Sequence, residues 1–254
     1  MKKRQCLFSL LLLVTLLLSG CTERGNTDPF EWRLQNMAAA AEKAFEKRGD
    51  KLTDSAGSEF IDFASLQEKN PELYAWLYIP GSEISAPIAQ SESGDITFYQ
   101  SHGADGAENK RGCLYTHYRY SDKHFAEPVS VIYGKTLSGV GVLSDLETIY
   151  RSREGLQQHQ DLIVFTADAV LRYRVFCATE FSDVLISRDY NEFQKEADTA
   201  AFLEDIRSYH TLQRQTDDSV SVSSGDRVLV LSTVLSRDAD KRYLVVAKLV
   251  DLTN

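Results

Sequence analysis

Seven short runs rich in β-branched and aromatic residues most constrain how this chain can fold. They fall at residues 75–79, 112–118, 129–134, 162–166, 170–180, 227–233 and 243–250, each bounded by Gly, Asp, Asn or Ser. No regular strand–helix alternation links them, which disfavours a doubly wound parallel sheet. The pattern predicts a mostly β fold, a closed antiparallel or mixed barrel of about seven to eight strands. Helical patterning interrupts it at about 142–159 and 193–210. The second helix carries Phe193, Ala197, Ala200, Ala201, Leu203, Ile206 and Tyr209 mostly on one face and precedes the penultimate strand. With 254 residues there is material for one well-cored domain and an N-terminal extension.

That extension begins as an address. Lys2, Lys3 and Arg4 precede an apolar run from Leu7 to Leu18, broken only by Ser9 and Thr15. About a dozen residues fall short of the roughly 20 needed to span a bilayer, and match a secretory leader instead. The run ends Leu18-Ser19-Gly20-Cys21, which resembles the lipobox of bacterial lipoproteins. The resemblance implies cleavage before Cys21, a diacylglycerol on its thiol, and a chain held at the cell membrane on the extracytoplasmic face. Residues 1–20 are thus expected as a leader, 21–28 as a linker, 29–60 as an amphipathic helix and flexible joint, and 61–254 as the barrel domain. Asp28-Pro29 reads as an N-cap with proline at the first helical position. Phe30, Leu34, Met37, Ala38, Ala41 and Phe45 follow at helical spacing, and Gly49 is a stop. A short helix is expected at about 62–69, ahead of Asn70-Pro71.

Charge and cysteine usage exclude several functions. The formal charge of −9 becomes −12 without the leader, which argues against nucleic acid and against adsorption to an anionic membrane, leaving the lipid as a tether. Four cysteines show no paired zinc spacing, and His102, His117, His124, His159 and His210 show no metal-ligand spacing. No metal and no cofactor is expected.

A set of short motifs then narrows the fold. Asn70-Pro71-Glu72 leads to Trp76 and Ile79-Pro80-Gly81. Gly112-Cys113-Leu114-Tyr115, Val131-Ile132-Tyr133-Gly134, Leu231-Ser232-Thr233 and Arg242-Tyr243-Leu244-Val245-Val246 follow. In this order and spacing they resemble the class B sortases, from about Phe60 to Val250. The resemblance implies a cysteine transpeptidase fold, in which a thiolate attacks a sorting signal, a histidine moves protons and an arginine supports the developing charge. The histidine position, after Tyr133-Gly134, holds Lys135. The cysteine position, after Leu231-Ser232-Thr233, holds Val234. The arginine, eight residues on, is retained as Arg242.

Val234 decides the chemistry that the resemblance implies. Its side chain has no lone pair with which to form an acyl-enzyme, and loss of a nucleophile costs on the order of 10⁶ in rate. Lys135 is no simple substitute for histidine, since an unperturbed lysine has a pKa of about 10.4. The chain therefore reads as a sortase fold without sortase catalysis, a lipid-anchored accessory protein of surface-protein or pilus attachment. Its expected partners are a sorting-signal peptide, a wall precursor or an active sortase. Lys135, Arg242 and Thr233 are the candidate ligand-binding residues, with an anionic group between the two cations unless Asp238 or Asp240 already fills that place.

An alternative keeps an enzyme of altered chemistry, a cysteine-independent transpeptidase or hydrolase using Lys135 with Thr233 or Ser236. Another relocates the thiol to Cys113 or Cys177, which would otherwise be buried or joined in a disulfide. A third, an active transpeptidase, requires the motif to be displaced from Val234.

Overall fold

The computed structural model describes residues 28–136, 140–209, 211 and 213–250. The leader, Cys21 and His210 lie outside the described residues.

Helix α1 spans Pro29–Arg48. The Asp28 carboxylate accepts from the Phe30 N–H at 2.9 Å, and Gly49 ends the helix with φ of 52°. Phe30, Met37, Ala41 and Ala44 are its buried face. Residues 49–60, expected as a flexible joint, instead form two 3₁₀ turns, Gly49–Asp54 and Gly57–Glu59, that pack on the barrel. Leu52 is buried there, and a side chain at Gly57 would strike the Thr166 carbonyl. Helix α2, Phe63–Lys69, starts from an Asp62 cap and stops at Asn70, as the sequence predicts.

The strands are β1 (Leu73–Tyr78), β2 (Ser85–Ala89), β3 (Leu114–Thr116), β4 (Val129–Tyr133), β5 (Asp161–Thr166), β6 (Val170–Ser182), β7 (Gln215–Thr216), β8 (Val228–Leu235) and β9 (Asp238–Leu249). They run in the order β5-β1-β2-β3-β4-β8-β9-β6, and β6 pairs back with β5, closing an eight-strand barrel. Two-residue β7 is an addition on β6. All seven predicted strands are present. The sequence missed β2 because Pro87 interrupts it. Proline survives there because β3 pairs only with Ile88 and Ala89, so no neighbour on that side needs its missing N–H.

The stretch 142–159, expected as one helix, is two short ones. Helix α3 (Leu146–Ile149) ends, Ser152 caps α4 (Arg153–Gln158), and Gly155 sits against the Ile149 carbonyl, where no larger residue fits. A short α5, Ile186–Asp189, precedes α6, Glu196–Ser208, which is the expected helix before β8.

Three apolar clusters hold the layers. One fills the barrel, including Leu77, Ile132, Leu229, Leu231 and Val245. A second lies beneath α1 and α2. A third joins Phe202, Leu203 and Ile206 of α6 to the outer face of β4, β8 and β9. Burial of this kind contributes roughly 25 cal/mol per Å² of apolar surface. No helix among the described residues is long and apolar enough to cross a membrane.

Candidate functional site

Three neighbouring strand ends gather Lys135, Val234 and Arg242. Strands β4 and β8 run parallel with Tyr133 opposite Ser232, and the Gly134 N–H donates to the Ser232 carbonyl at 3.1 Å. Strand β9 runs antiparallel to β8, with Arg242 directly opposite Val234. Gly134 is needed at this turn, since a Cβ there would lie 2.6 Å from the Leu143 side chain. The Leu143 N–H donates to the Lys135 carbonyl at 3.1 Å, fixing the backbone just beyond the strand.

Side-chain alternation sets the faces. Val129 and Val131 of β4, Val228 and Val230 of β8, and Leu244 and Val246 of β9 all pack outward beneath α6, with Tyr133 against them. Val234 and Arg242 continue those rows, so they share the outer face. Thr233 has the opposite parity: it is buried, and its hydroxyl is hydrogen-bonded to that of Thr136. The predicted set is therefore divided, with Thr233 turned away from its neighbours. Among the described residues the Lys135 ammonium has no hydrogen-bond or ion-pair partner.

A cavity of about 310 Å³ opens beside this row, walled by Tyr115, His117, Tyr133, Asp183, Leu185 and Arg242 among others. Tyr115 and Tyr133 stack with ring centroids 5.5 Å apart. The Tyr115 hydroxyl bonds Gln100, whereas the Tyr133 hydroxyl is buried with no partner. Burial pushes the Tyr133 phenol well above its ordinary pKa, with the nearby Tyr115 adding to the rise and the Arg242 charge opposing it. The Arg119 N–H donates to His117 Nδ1 at 3.1 Å, which leaves the proton of the neutral ring on Nε2. Burial, then the Arg119 charge, hold the His117 pKa below its usual value.

Arg242 does not wait for a ligand unpaired. Its Nε and Nη2 donate to the same Asp183 oxygen, at 2.7 and 2.6 Å. The carboxylate expected from Asp238 or Asp240 thus comes from the segment after β6. Asp238 pairs with Lys241 at 3.8 Å, and its carboxylate accepts the Asp240 N–H. No signal in the sequence marks Asp183, because 59 residues separate it from Arg242.

The chain resembles sortase B of Listeria monocytogenes at 26% identity over 195 residues, 76% of this chain and 74% of the relative. The Staphylococcus aureus sortase B–substrate complex superposes with a TM-score of 0.67 at 18% identity, covering 87% of this chain and 95% of that one. A Streptococcus pyogenes class B sortase involved in pilus biogenesis gives 0.63 at 20% identity, covering 75% and 98%. The fold is that of a class B sortase. No protein-family model matches the chain.

On this class B sortase fold the other candidate groups are engaged elsewhere. The Ser236 hydroxyl donates to Glu147 at 2.5 Å, not to Lys135. Arg237, the next residue, pairs with Glu147 and with Glu180, carboxylates only 7% and 5% exposed. Together they pin the two-residue turn between β8 and β9. Cys113 and Cys177 are both free, so the disulfide does not form. Each is buried, and burial pushes the thiols up to about 12 and about 11, far from the thiolate a nucleophile needs. His102 bonds the Phe98 carbonyl and stacks on that ring, and His159 bonds the Pro80 carbonyl. Among the described residues no group of three or more His, Cys, Asp or Glu side chains converges as a metal site.

Proposed function

We propose that this chain is a non-catalytic binding module, tethered by a lipid on Cys21 to the extracytoplasmic face of the membrane. It holds a partner segment in the groove beside Arg242, in the service of surface-protein or pilus attachment. One juxtaposition carries the reading: Val234 lies directly opposite Arg242 at the strand ends, so hydrocarbon stands where the family resemblance calls for sulfur. The cavity that Arg242 borders carries donors, the unpartnered Tyr133 phenol and that arginine. A sorting-signal peptide is the favoured occupant, since a related fold has been solved with its substrate. A wall precursor or an active sortase are the other candidates.

An anionic group of the ligand supplies the second half of the mechanism. Two cations on strand ends either side of β8, Lys135 after β4 and Arg242 on β9, favour a carboxylate or phosphate between them. Asp183 already gives Arg242 such a partner from within the chain, so an incoming anion must exchange with it. The pair is partly exposed, and exposed pairs contribute only about 0–1 kcal/mol, which makes that exchange inexpensive.

Titration with sorting-signal peptides tests the reading. Binding by the unaltered chain without cleavage is expected, and its loss in a Lys135→Gln, Arg242→Gln variant. Equal affinity in that variant rejects the anion site, and turnover that vanishes in Lys135→Ala rejects the non-catalytic role. The converse is Val234→Cys with Lys135→His, which is expected to acquire peptide hydrolysis or transpeptidation. A folded double variant that stays silent shows that the groove itself has changed.

A further inference from the structure

Trp32 is the most exposed of the large hydrophobic side chains among the described residues, at 59%. It lies in the first turn of α1, on the side away from the barrel, and among the described residues no aromatic or cationic side chain stacks on it. Beside it runs an open groove of about 500 Å³ between α1 and the turn before α2, bordered by Arg33, Met37, Ala40 and Phe60. The other tryptophan, Trp76, is its opposite: fully buried, with its indole N–H bonded to Ser85 at 3.0 Å.

We infer that Trp32 and the adjoining groove seat on the bilayer interface and fix how the barrel stands above the membrane. This rests on the lipid anchor at Cys21 proposed above. Seven residues, 22–28, separate that cysteine from the helix. Fully extended they reach roughly 25 Å, at about 3.3–3.6 Å per residue. A tether so short makes contact between Trp32 and the headgroup region intramolecular, at an effective concentration that a weak contact can use. Indole suits that zone, with an apolar body and one N–H for the wet side. The surroundings fit a neutral surface better than an anionic one: Glu31 and Arg33 flank Trp32, no basic patch accompanies it, and the mature chain carries −12. Two acyl chains already retain the protein, so the indole adds orientation and little to retention.

The test uses the full acylated chain in phosphatidylcholine vesicles, with mass spectrometry confirming the lipid on Cys21. Vesicles with brominated acyl chains are expected to quench and blue-shift part of the tryptophan emission. Trp32→Phe is expected to lose that component, leaving the unquenched signal of Trp76. Equal quenching in the two proteins, with Cys21 acylated, overturns the seating of Trp32 and leaves the anchor standing. A mass without diacylglycerol overturns the anchor and this inference together. A concentration-dependent blue shift of the Cys21→Ala chain without vesicles assigns the groove to a second copy, and overturns it as well.

Discussion

Two arginines five residues apart show how burial divides a single chemistry into two roles. Arg237, in the β8–β9 turn, meets Glu147 and Glu180, which are almost wholly enclosed. Arg242, at the head of the paired β9 ladder, meets Asp183, which is 44% exposed. Both are arginine–carboxylate pairs. Removing Arg237 leaves charge stranded away from water, whereas removing Asp183 leaves a cation that water and salt can serve. One pair is therefore a fastening for the turn that follows Val234, and the other a partner that a ligand can replace.

The comparison breaks if the two pairs respond alike. Arg237→Ala is expected to have the largest effect, lowering unfolding free energy by about 2–3 kcal/mol in denaturant titration. That is less than the roughly 3–5 kcal/mol of a wholly buried pair, because Arg237 is half exposed. Tyr133→Phe acts in the other direction. It removes a buried hydroxyl without a partner and is expected to stabilise the free protein by about 0.5–1 kcal/mol. If the groove ligand accepts from that hydroxyl, the same variant binds more weakly, and calorimetry separates the two effects. Asp183→Asn is expected to change stability by less than about 0.5 kcal/mol while tightening the binding of an anionic peptide. A loss comparable to that of Arg237→Ala would make the Arg242 pair structural.

The smallest expected effect concerns His117, another residue of the cavity wall. Its pKa is lowered in the folded chain, so the unfolded chain binds the proton more readily. The contribution of the neutral ring is fully present above about pH 6.5, and it is lost as pH falls from there toward the folded value. His117→Gln is expected to flatten the stability profile below pH 6.5. An unchanged slope assigns it to other groups.

Much of the architecture was legible because periodicity reports burial. The seven β-rich runs, the Asp28 cap and the Gly49 stop all mark local preferences that packing reinforces. Where packing overrode the local signal, reading failed. Pro87 hid β2, although the short reach of β3 leaves room for it. The polar residues 49–60 suggested a loose joint, yet Leu52 and Gly57 fit against the barrel. Val234 and Arg242 were legible as motif positions. Asp183, Tyr115 and the enclosing segment 183–188 were not recognisable as parts of a site, because their proximity arises from strand order.

The sequence alone determined the chemical inventory at the strand ends: a lysine, a valine and an arginine at fixed places after three short motifs. Tertiary structure decided what those groups meet. Strand pairing set Val234 opposite Arg242, turned Thr233 inward by its parity, and brought Asp183 across 59 positions onto the guanidinium. Such contacts depend on register and barrel closure, properties of strands taken together that no single segment encodes.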